Sequence, residues 1–437
     1  MRIGVIGTGH VGLITCVSLA EVGHDVVGMD ADPAKVRALT EGTMPFFEPG
    51  VEDLLTKNVA AGRLRFTAAP HEAVAGADVV FICVGTPPRA SGEANLLAVE
   101  QAARQVAADA TGPLVVAQKS TVPAGSADRL HRTIALERPD LATMIDVASN
   151  PEFLREGKAM KDALGPDRIL VGASSERAFE VMREVYRPFT EKGARLIETD
   201  IRSAELAKHA SNAFLALKIS YANALARIAE RANADVQAVT DVMGADPRIG
   251  ADFLGAGLGY GGYCFPKDLV AFEHLASTLG YEFGLLREVA KINDEAVEAA
   301  VEKVRDALWN IEGKRIALLG LSFKPGTDDV RFSPALAVAR RLLEAGAHVV
   351  GYDPQAGPEA EREVPGLELA PSAYEAARGA HCIVLSTGWD EFRELDAEKL
   401  GELVAFKIVV DGRNFLDAEA FAAAGFSYRA MGRRGVG

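Results

Sequence analysis

Short apolar runs alternate with segments of helical periodicity over the first 195 residues of the chain. The pattern predicts strands at residues 2–6, 25–29, 78–84, 114–117, 145–148 and 168–172. Between them, apolar residues recur at the three- and four-residue spacing of helices that pack on a sheet. Such alternation is typical of a mostly parallel sheet with helices on both faces.

The strand pattern is then lost until about residue 300. Ala204–Ala232 is a nearly unbroken helical pattern, rich in Ala and Leu, that is long for a globular helix and apolar on more than one face. It predicts a helix that connects domains, either as a spine alone or as a spine that also forms the seam of a homodimer.

The α/β pattern returns from about residue 313 and echoes the N-terminal one. Arg315–Gly320 corresponds to Arg2–Gly7, and Gly346–Gly351 corresponds to Gly23–Gly28. The repetition predicts a second domain of the same type as the first.

Composition excludes several classes of partner and compartment. A net charge of −14 without a basic block argues against nucleic acid or an anionic membrane as partner. No apolar run approaches a membrane span, and the N-terminus reads as a core strand rather than a signal peptide. The four cysteines are widely spaced, which favours a reducing cytoplasm over disulfides or zinc. No metal site is expected, and Cys16, Cys83 and Cys382 are expected to be inert core residues.

A glycine fingerprint, Gly7-Thr8-Gly9-His10-Val11-Gly12, follows the first predicted strand and opens a helix. Gly7 would make the tight turn, Gly9 would let backbone N–H groups meet a pyrophosphate, and Gly12 would let the helix pack on the strand. The second strand ends in Asp30, which can accept hydrogen bonds from ribose hydroxyls and would repel a 2′-phosphate. The cofactor is therefore expected to be NAD rather than NADP.

The second copy lacks this fingerprint and has Leu321–Arg331 in its place. It is expected to bind something other than NAD. Lys324 and Arg331 indicate a phosphate-bearing ligand, with a solvated charged loop as the alternative. The predicted architecture is α/β, with two Rossmann-like doubly wound domains joined by a long central helix and a helical middle domain, at residues 1–195, 196–300 and 301–437.

A glycine-dense loop, Phe253–Asp268, delivers Cys264 to the predicted start of a helix, where Pro266 suits the first helical position. A cysteine at a helix N-terminus beside Lys267 is placed to be a thiolate, although a buried structural cysteine remains the alternative. A thiolate is useful when an aldehyde must be oxidised to an acid. It adds to the carbonyl, the thiohemiacetal can donate hydride, and the resulting thioester is hydrolysed.

The chain resembles the UDP-glucose/GDP-mannose dehydrogenase family over essentially all of its length. The motifs that carry the resemblance are Gly7–Gly12, Asn150–Gly157, Lys208–Ala216, Phe253–Asp268, Phe323–Arg331 and Val410–Arg413. The resemblance implies four-electron oxidation of the C6 hydroxyl of UDP-glucose to UDP-glucuronate, with two NAD⁺ consumed. The loop Gly255–Gly262 looks like the UDP-glucose branch rather than the branches acting on GDP-mannose or UDP-N-acetylmannosamine.

The resemblance also implies catalytic roles. Cys264 matches the nucleophile of the family. Lys208 and Asn212, which are four positions apart and so share one helix face, match groups that steady the developing alkoxide and a water. Asp268 matches the carboxylate paired with that lysine and water, and Thr121 matches a hydroxyl near the reacting carbon. An ordinary ion pair between Lys208 and Asp268 is the alternative.

The remaining site residues follow in the same way. Glu152 matches a base or water-orienting acid, and Glu156 an acid near the cofactor. The expected cofactor-binding set is Gly7, Gly9, Val11, Gly12, Asp30, Lys35, Thr86, Thr121 and Glu156. The expected substrate-binding set is Glu152, Phe153, Leu154, Lys208, Asn212, Arg248, Phe253, Leu254, Gly255, Gly257, Gly261, Lys324 and Arg413. Arg248 matches a cation that reaches in from a neighbouring subunit, which implies a homodimer, unless it is a plain surface cation. Tyr263 departs from the family, which more often has a serine there.

Other functions stay open from the sequence. The substrate could be another nucleotide sugar. The chain could also be a two-electron hydroxyacid dehydrogenase with a structural Cys264, or a non-enzymatic nucleotide-sensing protein on the same frame. One NADH per substrate would indicate the two-electron enzyme, and two would indicate the thiolate mechanism.

Overall fold

Two β-sheets form the framework of the computed structural model, which describes residues 1–435. The chain divides into two compact units. The first consists of Met1–Ser211 and Val270–Tyr281, and the second of Asn212–Leu269 and the residues from Glu282 onward. Each sheet belongs to one unit, and the α/β fold class predicted from the sequence is confirmed.

The first unit contains an eight-stranded sheet. Its strands are β1 (Arg2–Ile6), β2 (Asp25–Met29), β3 (Leu64–Thr67), β4 (Val79–Ile82), β5 (Leu114–Gln118), β6 (Ile145–Ser149), β7 (Arg168–Ala173) and β8 (Arg195–Thr199). Their order is β3-β2-β1-β4-β5-β6-β7-β8, and only the pair β6 and β7 is antiparallel. The order reverses between β1 and β4, and ligands of open α/β sheets bind at such a switch point.

Helices cover this sheet. They are α1 (His10–Glu21), α2 (Pro33–Thr40), α3 (Val51–Ala60), α4 (Pro70–Val74), α5 (Leu97–Asp109), α6 (Ser126–Glu137), α7 (Ala159–Leu164), α8 (Glu176–Thr190) and the start of α9 (Ile201–Ala232). Side chains at helix starts accept backbone N–H groups, as Asp32 does for α2 and Ser175 for α8. Every residue of β4 and β5 is buried, which is why these strands read as continuous apolar runs.

The middle of the chain is helical, as predicted. After α9 come α10 (Val236–Gly244), α11 (Cys264–Thr278) and α12 (Gly284–Leu308). The placement of Pro266 at the first helical position was wrong, because α11 already begins at Cys264 and Pro266 is its third residue. Backbone N–H groups of a first turn have no intrahelical partner, so proline is tolerated there as well.

The second unit contains a six-stranded, fully parallel sheet. Its strands are β9 (Arg315–Leu319), β10 (His348–Tyr352), β11 (Glu368–Leu369), β12 (Cys382–Leu385), β13 (Ile408–Asp411) and β14 (Ser427–Ala430), in the order β11-β10-β9-β12-β13-β14. The helices α13 (Pro334–Glu344), α14 (Gly357–Glu363), α15 (Ala373–Ala377), α16 (Ala397–Leu403) and α17 (Ala418–Ala423) accompany it, with a 3-10 helix at Asp390–Glu394. This order repeats that of β1 to β6 in the first sheet.

Two strands of the first sheet, β3 and β8, are not predicted by the sequence pattern. β3 has only four residues and mixed burial, and β8 is an edge strand whose residues are all either exposed or half-buried. Neither shows the apolar run of a buried parallel strand. The first sheet therefore extends past residue 195 to Thr199. Within residues 1–435, no helix combines the length and the apolar character needed to cross a membrane.

Candidate active site

The glycine fingerprint lies at the switch point of the first sheet, between β1 and α1. Gly7 has φ +92°, and a Cβ there would lie 2.8 Å from the carbonyl oxygen of Cys83. A Cβ on Gly12 would lie 1.8 Å from the carbonyl oxygen of Gly7, so only glycine lets α1 pack this close to the turn. Apart from its two chain neighbours, no atom of residues 1–435 lies within 4 Å of the Cβ position of Gly9. The N-terminus of α1, whose second residue is Val11, therefore has room for a phosphate group.

Asp30 follows β2 and already holds several donors. Its carboxylate accepts hydrogen bonds from the backbone N–H and hydroxyl of Thr8, at 3.0 and 2.8 Å, and from the backbone N–H of Asp32. Lys35 forms an ion pair with it at 2.8 Å. Burial alone would raise the pKa of Asp30, but the hydrogen bonds, above all that from Lys35, lower it overall. The group is thus an anion at neutral pH, with Lys35 directly beside it.

Thr86 and Thr121 lie on the loops that follow β4 and β5. The Thr86 hydroxyl donates to the carbonyl oxygen of Thr121 at 2.9 Å, so the structure brings these two predicted residues together. Glu156, half-buried, lies on the loop before α7. Glu48 fixes the end of that loop by accepting the backbone N–H groups of Gly157 and Ala159 at 2.7 and 2.8 Å.

Glu152 and Lys208 form a buried ion pair in the first unit. Lys208 Nζ lies 3.1 Å from Glu152 Oε1, and both side chains are less than a tenth exposed. The other oxygen of Glu152 accepts the backbone N–H of Leu154, and the Lys208 ammonium lies 5.3 Å from the centre of the Phe153 ring. Four residues of the predicted substrate set are therefore in contact. A lysine fixed by a carboxylate in a dry site is suited to stabilise a developing alkoxide.

The loops that carry Thr121 and Glu152 are linked by a buried lysine that the sequence analysis did not single out. Lys119 Nζ donates to Asn150 Oδ1 at 3.0 Å and to the Tyr186 hydroxyl at 3.3 Å. Lys119 precedes Thr121 by two positions, and Asn150 precedes Glu152 by two. A signal existed in the sequence, since both are polar residues at the ends of otherwise apolar strands.

Cys264 is the first residue of α11, in the second unit, and is half-buried. The other three cysteines are buried, as predicted, and burial raises the pKa of Cys83 and of Cys382 to about 12. They are inert thiols at neutral pH. A cysteine at a helix N-terminus instead gains from the positive end of the helix dipole, which favours its thiolate.

Asp268 lies on the first turns of α11 and is almost completely buried. Asn212 Nδ2 donates to Asp268 Oδ2 at 2.6 Å, and Lys267 Nζ donates to Asp268 Oδ1 at 2.5 Å. Asn212 lies on α9, one helical turn after Lys208. The structure thus brings two of the predicted catalytic residues, Asn212 and Asp268, into direct contact.

Tyr263, the departure noted beside the nucleophile, lies between cations. The Arg331 guanidinium lies 4.6 Å from the centre of its ring, and the Lys267 ammonium 5.8 Å. Burial raises the pKa of the Tyr263 phenol, against the effect of both cations. Arg331 in turn pairs with Asp329 at 2.6 Å. The bulky ring is therefore held in place rather than projecting loosely beside the thiol.

The glycine-rich loop before Cys264 allows close backbone approach. A Cβ on Gly261 would lie 2.4 Å from the carbonyl oxygen of Phe332, and one on Gly257 would lie 2.7 Å from that of Gly412. Phe253, at the loop start, has the unusual φ of +66°. Its neighbour Leu254 is buried, whereas Gly255 is exposed. This left-handed backbone conformation is unfavourable for a phenylalanine, and such strained residues are often found at binding sites.

Arg413 follows β13, at the carboxyl edge of the second sheet. Its guanidinium donates to the backbone carbonyl oxygens of Ser386 at 2.7 Å, Gly259 at 3.0 Å and Phe323 at 3.5 Å. Burial lowers the pKa of Arg413 to about 10, so it stays charged at neutral pH. Lys324, after β9, lies over the Phe323 ring at 5.3 Å. These groups lie at the carboxyl edge of the second sheet. Among residues 1–435 the hydrogen bonds of the Arg413 guanidinium go to neutral carbonyl groups, with the Asp411 carboxylate acting on it from a distance, and such a cation is suited to an anionic ligand.

Arg248 is exposed on the loop after α10. It forms an ion pair with Asp246 at 2.6 Å, and Lys218 on α9 donates to the carbonyl oxygens of Ile249 and Gly250. The structure does not bring Arg248 into hydrogen bonds with the other predicted residues among those it describes. Its side chain is 87% exposed, so it is available to a second molecule.

Models of all three domains of one protein family match the chain. The NAD binding domain of the UDP-glucose/GDP-mannose dehydrogenase family matches residues 1–190, the central domain matches 202–295, and the UDP binding domain matches 317–418.

Individual relatives match over the full length. The chain is 46% identical to a UDP-glucose 6-dehydrogenase of Rhizobium meliloti, covering 99% of this chain and 100% of the relative. It is 43% identical to the UDP-glucose 6-dehydrogenase YwqF of Bacillus subtilis, covering 100% and 98%. Among solved structures, a UDP-glucose dehydrogenase from Pyrobaculum islandicum aligns with a TM-score of 0.91 at 39% identity, covering 99% of this chain and 98% of that one.

Proposed function

This chain belongs to the UDP-glucose/GDP-mannose dehydrogenase family, and on that premise we propose that it oxidises UDP-glucose to UDP-glucuronate. It is an NAD-dependent oxidoreductase. The observation that carries the four-electron reaction is Cys264, a half-buried thiol at the start of α11, in a chain whose other cysteines are buried. A two-electron alcohol dehydrogenase needs no such thiol.

Cys264 serves the second oxidation in this proposal. Bound NAD⁺ supplies the hydride acceptor in both steps. The Cys264 thiolate adds to the C6 aldehyde and forms a thiohemiacetal, whose oxidation leaves a thioester. Water then cleaves the carbon–sulfur bond, which releases the carboxylate and restores the thiol. The same thiol must stay reduced between turnovers, which is why we place the enzyme in a reducing cytoplasm.

The polar groups of the site handle protons and charge. Lys208 stabilises the alkoxide that develops at C6, and Glu152, its ion-pair partner at 3.1 Å, accepts a proton or orients the hydrolytic water. Asn212 and Asp268, joined at 2.6 Å, hold that water or the alkoxide oxygen. Thr121 offers a hydroxyl near the reacting carbon.

Two further groups of residues bind the ligands. The open N-terminus of α1 takes the pyrophosphate of NAD, and the Asp30 carboxylate takes the adenosine ribose and repels the 2′-phosphate of NADP. Arg413 and Lys324 bind the pyrophosphate of the sugar nucleotide. Support for this comes from the neutral partners of Arg413 and from the family description of this region as a UDP binding domain.

We also propose a homodimer that uses the outer face of α9. Phe214, Tyr221 and Ile228 recur every seven residues along it and are 51–61% exposed. Exposed apolar stripes of this kind mark helix–helix contacts between molecules. The Arg248 loop is tied to the same helix through Lys218, so a partner docked there would meet Arg248.

The decisive experiment counts NADH released per UDP-glucose and compares Cys264→Ala with the control Cys382→Ala. We expect two NADH with the unmodified enzyme, and no UDP-glucuronate from Cys264→Ala despite near-normal NAD binding. Cys382→Ala, a change to a buried thiol, should keep the reaction. One NADH per substrate, or acid formation by Cys264→Ala at the original rate, would contradict the mechanism. Faster turnover of GDP-mannose or UDP-N-acetylmannosamine would contradict the substrate.

A further inference from the structure

We propose that Asn293 and Asn223 are positioning residues that fix the glycine-rich loop delivering Cys264, an inference that rests on the proposed function. Neither residue stands in a sequence motif of the site. Both belong to the second unit, Asn293 on α12 and Asn223 on the part of α9 that follows Ser211. Each asparagine side chain forms hydrogen bonds with the backbone of the loop rather than with its side chains. Both asparagines act on the position of the nucleophile, and neither is assigned a contact with the reacting atoms.

Asn293 holds both backbone groups of Tyr260. Its Oδ1 accepts the Tyr260 N–H at 2.7 Å, and its Nδ2 donates to the Tyr260 carbonyl oxygen at 3.1 Å. This pairing fixes the orientation of the amide and uses both of its ends. It also explains Gly259, which has φ +91° and whose Cβ would lie 2.4 Å from Asn293 Oδ1. Any other residue at 259 would push the amide away.

Asn223 holds the loop three residues earlier. Its Oδ1 accepts the Gly257 N–H at 2.8 Å. The Asn223 Nδ2 is buried and has no hydrogen-bond partner within the part of the chain that the structure describes. A buried donor without a partner lowers stability, a loss that an apolar side chain would avoid. The bond to Gly257 therefore explains the asparagine better than packing does.

The position of the loop determines that of the thiol, because the residues between Tyr260 and Cys264 are tightly constrained. The Gly262 N–H donates to the Arg331 carbonyl oxygen at 3.1 Å, and a Cβ on Gly262 would lie 2.7 Å from the Phe323 ring. The Tyr263 ring lies 4.6 Å from the Arg331 guanidinium. Cys264 is the next residue. A shift of the Tyr260 backbone would thus move the thiol, and a displacement of about 1 Å can cost roughly 100-fold in rate.

The test compares matched variants of the full chain. Asn293→Ala removes both bonds to Tyr260, whereas Asn293→Asp keeps the acceptor and loses the donor. Asn223→Asp keeps the acceptor for Gly257, and Asn223→Ala does not. Glu302→Ala, an exposed change on the same α12, is the control. Steady-state rates with UDP-glucose and NAD⁺ are measured together with melting temperature.

A second readout follows the thiol itself without substrate. Iodoacetamide should alkylate Cys264 selectively, because the other cysteines are buried, and mass mapping identifies the modified residue. We expect Asn293→Ala to lower kcat about 10- to 100-fold, with the KM for NAD⁺ within threefold of the original, and to change the alkylation rate of Cys264. Asn293→Asp should lie between Ala and the unmodified enzyme, and Asn223→Asp should retain more activity than Asn223→Ala.

The outcomes separate this inference from the proposed function. Folded Asn293 variants with unchanged kcat and unchanged alkylation would overturn the positioning role, while two NADH from the unmodified enzyme would leave the function standing. If Asn293→Ala does not fold, the alkylation rate of folded Asn293→Asp decides, and a rate equal to that of Glu302→Ala overturns the inference. An unmodified enzyme that releases no NADH from UDP-glucose would refute the proposed function, and the alkylation rates would still test the geometry.

Discussion

Replacing Arg413 by methionine should separate folding from substrate binding. Methionine keeps most of the length of the side chain and removes the charge and all the N–H donors. Burial lowers the pKa of the arginine well below its ordinary value, to about 10. Since a tenfold change in proton affinity is about 1.4 kcal/mol, burying this charge costs roughly 3 kcal/mol.

The change has two effects of opposite sign on the free energy of unfolding. Arg413→Met removes that cost, but it also removes the three hydrogen bonds to Ser386, Gly259 and Phe323. Hydrogen bonds from charged groups contribute about 1.5–3 kcal/mol each in favourable geometry, and the bond at 3.5 Å contributes little. The two bonds in good geometry therefore contribute about 3–6 kcal/mol, and once the burial cost of about 3 kcal/mol is subtracted we expect the free energy of unfolding to fall by no more than about 3 kcal/mol.

Binding of the nucleotide has no such compensation. Loss of a charge-assisted hydrogen bond to a phosphate costs about 1.5–3 kcal/mol, so the Kd for UDP should rise roughly 10- to 150-fold. Isothermal titration with UDP measures this without turnover, and titration with NAD⁺ provides the internal comparison, because its fingerprint lies in the other unit. Arg340→Met, at an exposed position on α13, is the matched control. A folded Arg413→Met enzyme that binds UDP within twofold of the original would refute the role of the guanidinium.

Two remaining predictions concern cofactor choice and assembly. The unmodified enzyme should use NADP⁺ poorly, and Asp30→Ser should narrow the gap in kcat/KM between NAD⁺ and NADP⁺, because it removes an anion that repels the 2′-phosphate; equal use of both cofactors before the change would contradict this. Arg248→Ala and Cys264→Ala chains should each be nearly inactive alone and regain activity when refolded together, because one site of a mixed dimer has both groups. Mixed dimers confirmed by mass that stay inactive would exclude an arginine acting across the subunits.

The most deeply buried strands of the first sheet could be predicted from sequence because their burial is uniform. β4 and β5 have no exposed residue, so each reads as an unbroken apolar run. β8 pairs with β7 along its whole length, yet its Arg195 and Glu198 are exposed and interrupt any such run. Its strand character comes from pairing with a neighbour, which a local pattern does not contain.

The site shows the same division between local and distant information. The helix start at Cys264 and the turn at Gly7 each depend on a few consecutive residues, so they can be predicted from the local sequence. Lys208 and Glu152 meet across 56 positions, Asn293 and Tyr260 across 33, and Arg413 and Gly259 across 154. Spacing alone cannot reveal such pairs, since they depend on how the elements pack. Only the resemblance to a family indicated Lys208, Glu152 and Arg413, and nothing indicated the two asparagines.

The two repeated domains each have an acid after their second strand, Asp30 and Asp353, and the two acids differ in how many hydrogen bonds they already accept. Asp353 follows β10 as Asp30 follows β2, and Ser322 donates its N–H and hydroxyl to Asp353 as Thr8 does to Asp30. The acid thus fixes the turn after the first strand in both copies.

The difference lies in the remaining donors. Asp353 also accepts the N–H groups of Leu321, Gln355 and Ala356 and the indole N–H of Trp389. Its oxygens are therefore fully engaged and cannot bind a ribose. Within residues 1–435, Asp30 has one further backbone donor, Asp32, and the flexible ammonium of Lys35, which can move aside. The fully engaged Asp353 and the absence of the glycine fingerprint support the proposal that the second domain binds a different nucleotide through Arg413 and Lys324.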